Sequence, residues 1–227
     1  EELQRINTDL EQFVSICSHD LQEPLGTIRF SSDVILKKFG ENLDPKAAEY
    51  LGYIYGAAGR MADQIKGLLE HSRIGQELER TEVDVQELLE IVKYDLGKRL
   101  RECKGEIHLS RMPSIWAYKT ELRLLFQNLI GNSLKYCKPD VSPVVRISSF
   151  EDDVFWTFVI NDNGIGIAQE DLDNVFKIFG RASTQHKYEG TGVGLAHCEK
   201  IVKLHDGSIW VDSQVNVGST FYFKIKK

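Results

Sequence analysis

The amino-acid sequence predicts two domains of different class, an α-helical hairpin that dimerises to a four-helix bundle and, after it, an α/β sandwich. Apolar residues recur at alternating steps of three and four along the first part of the chain, which is the seam of bundled helices. Farther along, short apolar strands alternate with helices, as in a mixed sheet covered by one helical layer. We therefore divide the chain into a helical domain (1–75), a polar linker (76–82) and an α/β domain (83–227).

The first predicted helix runs from the N-terminus to about Phe39. Its seam carries the apolar residues Leu3, Ile6, Leu10, Phe13 and Cys17. Proline lacks a backbone donor and clashes with the preceding turn, so Pro24 predicts a kink inside this helix. Gly40 is typical of the residue that follows a helix C-terminus.

Asp44 and Pro45 are a typical N-cap and first-turn pair for a second helix. A second seam follows, formed by Ala47, Leu51, Ile54, Ala58, Met61, Ile65, Leu68 and Ser72. One hairpin can bury only one apolar stripe, and two hairpins complete a four-helix bundle. The sequence therefore predicts a homodimer through helices 1–39 and 45–75.

His19 lies beside the first seam, next to Asp20. A packed seam has no pocket, so this histidine is poorly placed to be a buried catalytic base. It is well placed to be a target that a helical stalk presents to an enzyme. The alternative is a coiled-coil spacer without chemistry, and the choice depends on what the rest of the chain contains.

Composition excludes several classes of protein. A net charge of −6 does not favour nucleic-acid binding, which usually needs a basic face. The four cysteines form no CxxC pair, which argues against a zinc site or a disulfide framework and fits a reducing compartment. No apolar run is long enough for a membrane segment. Because the chain begins at Glu1, already in heptad phase, we expect a fragment of a longer protein.

The α/β domain is predicted from strand alternation and helical periodicity in turn. A short strand at 83–85 and a helix reaching about residue 101 come first. The sequence then predicts strands at 107–109 and 114–116, a helix containing 122–134, antiparallel strands at 144–149 and 154–160, a helix at 192–205, and a hairpin of 208–212 with 220–225.

The central helix carries an unusual polar face. Asn128, Asn132 and Lys135 are spaced four and three residues apart, so they project from one side of the helix. Amide oxygens can complete the coordination of a Mg²⁺ that is held mainly by phosphate oxygens. The alternative is an ordinary solvated helix face.

Asp162 directly follows a predicted strand and is followed by Gly164 and Gly166. A carboxylate at a strand end, beside glycines that let a ligand approach the backbone, can accept a hydrogen bond from the exocyclic amine of adenine. The alternative is a tight turn, for which Asp-Asn-Gly is common.

Three glycines, Gly190, Gly192 and Gly194, open the next helix. Backbone N–H groups at a helix N-terminus form an anion site. The segment is neither a Walker A loop nor a dinucleotide fingerprint, because no Lys-Ser or Lys-Thr follows and no βαβ unit surrounds it. Taken alone, this signal is weak.

A polar segment from 176 to 189 connects the last two clusters. It reads as a mobile loop, and a loop between an adenine site and a phosphate site is where a lid belongs. Arg181 and Lys187 are placed to reach phosphate oxygens.

In this order the clusters resemble the catalytic core of a sensor histidine kinase of two-component signalling, and the resemblance covers nearly the whole chain. The segment around His19 is most similar to that of phytochrome-type kinases. The matching segments are the H box at 18–25, the N box at 128–136, the G1 box at 162–167, the F box at 176–179, the G2 box at 190–195 and a terminal sheet motif at 218–221.

The resemblance implies ATP-dependent autophosphorylation of His19 and relay of the phosphoryl group to an aspartate of a response regulator receiver domain. Asp20 would orient His19. It also implies that residues 1–75 are the dimerisation and phosphotransfer domain, that residues 83–227 form a Bergerat (GHKL) ATP-binding fold, and that an upstream sensor domain controls both. We expect a cytoplasmic transmitter, whose full-length protein can be membrane-anchored through the missing part.

Roles in the nucleotide site are also implied by the resemblance. Asp162 would read adenine, and Asn132 would bind Mg²⁺ with support from Asn128. The remaining implied nucleotide contacts are Lys135, Tyr136, Gly164, Gly166, Phe179, Arg181, Lys187, Gly190, Thr191, Gly192, Gly194 and Leu195.

The sequence departs from the family pattern at two positions. Glu23 stands where many relatives carry the Thr or Asn that helps to remove phosphate from the partner. Tyr118 stands where relatives often carry an Asp before the N-box helix, so a typical helix cap is absent.

Two rival functions are weighed against this one. A gyrase-type or chaperone-type ATPase shares the nucleotide motifs but lacks a histidine on a helical seam. His19 therefore distinguishes a histidine kinase from these ATPases. A non-catalytic dimeric scaffold that binds ATP is the other rival. The presence of Asn132 and Asp162 indicates competence to bind nucleotide rather than turnover.

Overall fold

The structure is a computed structural model that describes residues 2–76, 79–183, 188 and 190–227, with the backbone alone for 2–17 and for His19. The chain divides into two compact units, residues 1–73 and 74–227.

The first unit is a helical hairpin, as predicted. Helix α1 (Glu2–Phe39) and helix α2 (Pro45–Arg73) pack against each other and are joined by a 3₁₀ turn (Gly40–Asn42). Asp44 caps α2, its side chain accepting a hydrogen bond from the Lys46 backbone at 2.9 Å. Helix α1 continues through Pro24 without interruption.

The second unit contains seven strands and four α-helices among the residues that the structure describes. This unit also has a 3₁₀ turn at Gln169–Asp171. The elements are β1 (Thr81–Asp84), α3 (Val85–Asp95), α4 (Gly97–Cys103), β2 (Glu106–Leu109), β3 (Ser114–Ala117), α5 (Lys119–Lys135), β4 (Val144–Glu151), β5 (Phe155–Asp162), α6 (Gly194–Leu204), β6 (Ser208–Gln214) and β7 (Gly218–Lys226).

A five-stranded mixed sheet has the order β2-β4-β5-β7-β6, and β1 pairs with β3 in a separate two-stranded sheet. Strand β2 runs parallel to β4, and the other neighbours in the large sheet are antiparallel. This confirms the predicted β4–β5 and β6–β7 pairs. Two expectations were wrong in detail. Strand β1 begins at Thr81, inside the predicted linker, and the predicted single helix after it breaks between Asp95 and Gly97 into α3 and α4.

Three phenylalanines attach α5 to the sheet. Phe126 of α5 meets Phe158 of β5 edge to face at 5.6 Å, and Phe158 stacks on Phe223 of β7 at 5.0 Å between ring centres. All three side chains are fully buried. Aromatic pairs of this kind add about 0.5–1.5 kcal/mol beyond the burial of their area, so the helix is fixed against the middle of the sheet.

His205 stabilises the start of α5, where a typical cap is absent. Its Nε2 accepts a hydrogen bond from the Tyr118 backbone N–H at 3.1 Å, and its Nδ1 donates to the Ile201 carbonyl at 2.8 Å. The Tyr118 side chain makes no capping hydrogen bond. The ring of His205 is fully buried and therefore holds the neutral form that this pair of bonds requires.

This arrangement predicts a pH-dependent stability. Burial holds the pKa of His205 below its ordinary value of 6.5, with the Ile201 carbonyl opposing in part. An unfolded histidine gains a proton near pH 6.5, whereas folded His205 gains one only at lower pH. The stabilisation is therefore complete above about pH 6.5 and decreases as the pH falls below it.

Urea unfolding of the parent chain and of His205→Ala at pH 7.5 and 5.5 measures this effect. The variant should lose about 2 kcal/mol at pH 7.5, because the Tyr118 N–H is left without a partner, and it should lose less at pH 5.5. His108→Ala, at an exposed position, should change the free energy of unfolding at pH 7.5 by less than about 0.5 kcal/mol. An equal loss for His205→Ala at both pH values would contradict the argument.

Candidate functional site

A cleft in the second unit lies between α5, the end of β5 and the start of α6. Its inner part is mostly apolar and is lined by Asn132, Ser133, Tyr136, Asp162, Ile165, Gly166, Ile167, Leu195, Ser219 and Phe221. Its outer part is an open space of about 690 Å³, lined by Asn128, Asn132, Lys135, Tyr136, Val175, Gly180, Arg181, Gly190, Thr191, Gly192, Gly194 and Leu195. The two parts share Asn132, Tyr136 and Leu195, so they adjoin each other at these residues.

Asp162 is the buried charged group of the inner part, with 8% of its surface exposed. Its Oδ1 accepts hydrogen bonds from the backbone N–H groups of Gly164 (2.9 Å) and Ser219 (3.1 Å). Its Oδ2 accepts one from the Ser133 hydroxyl at 3.2 Å. Each carboxylate oxygen has more than one acceptor direction, so Oδ2 retains the capacity to accept a hydrogen bond from a ligand.

Burial raises the pKa of Asp162 above its ordinary value, and the hydrogen bonds from Gly164, Ser219 and Ser133 oppose this rise. The surroundings are suited to a flat ring that carries a donor, since Ile165, Ile167 and Phe221 line the same space. A hydrogen bond to an ionised acceptor in such a place is stronger than one between neutral groups. The inner part can therefore select an amine-bearing aromatic ring.

The polar face of α5 lines the outer part, where the structure brings together Asn128, Asn132 and Lys135. The amide nitrogen of Asn128 is buried and has no hydrogen-bond partner. A buried polar group without a partner costs about 1–3 kcal/mol, so this amide is suited to a ligand. It offers a donor to an anion, and a half-turn of the amide presents its oxygen instead.

Two cationic side chains, Lys135 and Arg181, line the same outer space. Lys135 donates a hydrogen bond to the Tyr136 hydroxyl at 3.2 Å, and its Nζ lies 4.7 Å from the centre of the Tyr136 ring. Burial raises the pKa of Tyr136, which keeps its hydroxyl protonated. Together with the N-terminus of α6, these charges favour an anionic group such as a phosphate.

Two glycines of the cleft have backbones that other residues rarely adopt, with φ of +72° at Gly166 and +73° at Gly192. A Cβ atom at Gly166 would lie 2.1 Å from the Gln214 carbonyl oxygen. A Cβ atom at Gly164 would lie 2.5 Å from the Tyr136 carbonyl oxygen. These positions need glycine because the backbone segments approach so closely.

Some predicted site residues are not among those that line the cleft. Phe179 has a positive φ of 64° and is 45% exposed, and its backbone lies against Gly192. Lys187 lies outside the described residues, as does the side chain of His19. The backbone of His19 is part of α1, and Asp20 is exposed on the same helix.

Three polar residues in or beside the cleft were not among the predicted site residues. Ser133 and Ser219 hold Asp162, and Tyr188 hydrogen-bonds the Cys137 carbonyl at 2.7 Å. Ser219 belongs to the terminal sheet motif, which was a usable signal. Ser133 lies inside the N box, and Tyr188 lies two residues before the glycine run, but neither had a further signal of its own.

No cluster of three or more His, Cys, Asp or Glu side chains suited to a metal occurs among the described residues. A cation at Asn132 would therefore have few protein ligands and would need phosphate oxygens and water. This donor set fits Mg²⁺, which takes hard oxygen ligands and keeps several waters. Among the described helices, none is both long and apolar enough to cross a bilayer.

Comparison with known families matches both units. The family described as "Histidine kinase-, DNA gyrase B-, and HSP90-like ATPase" matches residues 117–227. The family described as "His Kinase A (phospho-acceptor) domain" matches residues 9–77. The fold and the cleft thus define a class, an ATPase domain joined to a phospho-acceptor helical domain.

Two curated relatives carry similar sequences. Phytochrome-like protein Cph1 of Synechocystis is 37% identical over 98% of this chain and 30% of its own length. Cyanobacterial phytochrome A of Nostoc is 35% identical over 99% of this chain and 29% of its own length. The chain therefore spans about a third of the length of these relatives.

Among solved structures, full-length ShkA in complex with AMPPNP has a similar fold. It matches with a TM-score of 0.68 and 23% identity, over 94% of this chain and 45% of that chain. The chain belongs to the sensor histidine kinases of two-component signalling, of which it carries the transmitter core.

The structure predicts that replacing either of two glycines by alanine changes the free energy of unfolding in opposite directions. Gly166→Ala should destabilise the chain by more than about 2 kcal/mol, because the new methyl group meets the Gln214 carbonyl and the backbone has positive φ. Gly131→Ala is the matched control. Gly131 lies inside α5 with open space around it, so alanine should stabilise by about 0.5–1 kcal/mol. Urea unfolding monitored by circular dichroism measures both, and equal stability of the two variants would refute this interpretation.

Proposed function

We propose that the chain transfers the γ-phosphoryl group of ATP to His19 and passes it on to an aspartate in the receiver domain of a response regulator. The observation that carries this proposal is the cleft. Its inner part contains the buried Asp162, and the adjoining outer part is lined by Asn128, Lys135 and glycines. The same chain also carries a phospho-acceptor domain, which supports the function of a kinase rather than that of a gyrase-type or chaperone-type ATPase.

In this proposal the adenine ring occupies the inner part of the cleft. The carboxylate of Asp162 accepts a hydrogen bond from the exocyclic amine, while Ile165 and Ile167 pack on the ring. Gly164 and Gly166 are assigned a role in letting the ring come close to the backbone. Tyr136 and Leu195 lie where the inner and outer parts join, so they are assigned contacts to the ribose side of the nucleotide.

The triphosphate occupies the outer part. Lys135, Arg181 and Lys187 are assigned to neutralise its charge. Backbone N–H groups of the glycine-rich segment at the start of α6 are assigned to bind its oxygens. Phe179, whose backbone lies against Gly192, is assigned a contact at the edge of this segment.

Asn132 would hold Mg²⁺, and Asn128 would support it. When bound, Mg²⁺ would supply charge neutralisation between the phosphate groups. The buried, unpartnered amide of Asn128 supports a ligand of this kind at this place.

His19 is assigned as the nucleophile. One ring nitrogen attacks the γ-phosphorus, an N–P bond forms, the bond to the bridging oxygen breaks and ADP leaves. Asp20 is assigned to accept a hydrogen bond from the other ring nitrogen, which fixes the tautomer that attacks. Catalysis then rests on positioning and charge neutralisation.

Homodimerisation through α1 and α2 is part of the proposal. Leu21 and Ile28 of α1 are 53% and 44% exposed, and Ile54 and Met61 of α2 are 47% and 52% exposed in the single chain. Each pair is spaced by one heptad, so each helix presents an apolar stripe. A second copy of the hairpin would cover both stripes and complete a four-helix bundle.

Control by an upstream sensor domain and location in the cytoplasm, where ATP and receiver domains are available, complete the proposal. The relatives are phytochromes by name and are about three times longer than this chain. This difference in length supports a further domain beside the transmitter core.

Incubation with γ-labelled ATP and Mg²⁺ tests the kinase proposal. The parent chain should acquire label that is lost in acid and kept in base, as expected for phosphohistidine. His19→Ala should acquire none, and Asp162→Ala should reduce labelling at least tenfold through loss of nucleotide binding. His108→Ala, at an exposed histidine outside the cleft, should label like the parent. Label that persists in His19→Ala, or that is absent from the parent, would falsify the assignment of His19.

Analytical ultracentrifugation tests the dimer. The parent chain should sediment with the mass of two chains, and Ile54→Glu combined with Met61→Glu should shift it to one chain, because two charges would be buried in the seam. Lys66→Glu changes the charge of an exposed position off this stripe and should leave the dimer intact. A parent chain that stays monomeric at high concentration would overturn this part of the proposal.

A further inference from the structure

Tyr188 makes three contacts that converge on the outer part of the cleft. Its hydroxyl donates a hydrogen bond to the Cys137 carbonyl at 2.7 Å. Its ring meets the Tyr136 ring edge to face, with 5.3 Å between centres and 75° between planes. Its backbone carbonyl accepts a hydrogen bond from the Arg181 guanidinium.

These contacts connect parts of the chain that are far apart in sequence. Cys137 and Tyr136 directly follow α5, the helix that carries Asn132 and Lys135. Tyr188 stands two residues before Gly190, where a Cβ atom would lie 2.5 Å from the Lys135 Nζ. The entry to the glycine-rich segment is therefore tied to the end of α5 through one side chain.

Tyr188 is unlike a packing residue of the core. Its side chain is half-buried, and among the described residues it is not one of those that form the hydrophobic core or pack against it. Two of its partners, Tyr136 and Arg181, line the outer part of the cleft. Its contacts are thus directed at the site rather than at the interior.

We infer that Tyr188 is a positioning residue, which holds Arg181 and the glycine-rich segment in the arrangement that binds the phosphates of ATP. The inference rests on the proposed function, because it requires a triphosphate in the outer part of the cleft. Anchoring the hydroxyl on Cys137 fixes the Tyr188 backbone, and the Tyr188 carbonyl in turn orients the Arg181 guanidinium. A pre-oriented cation and loop bind more tightly, since less freedom is lost on binding.

The expected effects follow from the interactions removed. Tyr188→Phe keeps the ring contact with Tyr136 and removes one hydrogen bond, which should weaken Mg²⁺-ATP binding about fivefold. Tyr188→Ala removes the ring as well, and the loss should reach about twentyfold. Binding of adenosine, which has no phosphates, should change by less than about twofold in either variant, because Asp162 and the inner part are untouched.

Isothermal titration calorimetry of the whole chain with Mg²⁺-ATP and with adenosine tests this inference. Tyr94→Phe is the matched control, since it removes the same hydroxyl from a tyrosine that is 87% exposed on α3. Melting temperatures without nucleotide are recorded in parallel. Should Tyr188→Ala fail to fold, the Tyr188→Phe result decides.

Weaker ATP binding with unchanged adenosine binding supports the positioning role, and the Tyr94→Phe values should equal those of the parent. Equal weakening of ATP and adenosine, together with a lower melting temperature, would show a structural role and overturn the inference. Unchanged ATP binding in Tyr188→Phe and in Tyr188→Ala would overturn it as well. A parent chain that binds neither compound would instead refute the ATP site itself, and the inference would fall with it.

Discussion

The carboxylate of Asp162 is the group on which the cleft depends. A charge buried to this degree is costly unless hydrogen bonds compensate for lost water. Here the compensation comes from Gly164, Ser219 and Ser133, which belong to the loop after β5, to β7 and to α5. The need to solvate one carboxylate therefore joins three elements of the second unit at the bottom of the cleft.

Helix α5 serves the core and the site at once. Its buried side includes Leu122, Phe126 and Leu129, which pack between the helices and the sheet, while Asn128 and Asn132 face the cleft. Because the phenylalanine cluster fixes α5 on the sheet, the amides are held at a defined distance from Asp162. The core thus supplies the rigidity that a binding site needs.

The departures from the family pattern have different consequences. No side chain caps α5 at Tyr118, but His205, at the C-terminal end of α6, accepts a hydrogen bond from the Tyr118 backbone N–H. This contact makes stability sensitive to pH at a buried histidine that is not among the residues lining the cleft. Glu23, by contrast, is exposed on α1. Among the described residues of the first unit, none forms a hydrogen bond or ion pair with its side chain.

The amino-acid sequence was sufficient to predict the class of both units, the positions of most strands and helices, and the motifs around Asn132, Asp162 and Gly192. These features depend on periodicity and on neighbours within a few residues, so they can be recognised locally. It predicted less well where tertiary packing competes, as in the β1 boundary at Thr81 and the break between α3 and α4. The contacts of Ser133 and Ser219 with Asp162, of His205 with the Tyr118 backbone and of Tyr188 with Tyr136 emerged from the tertiary structure alone. These partners are separated by tens of residues, and their meeting depends on sheet order and helix packing, which no local pattern encodes.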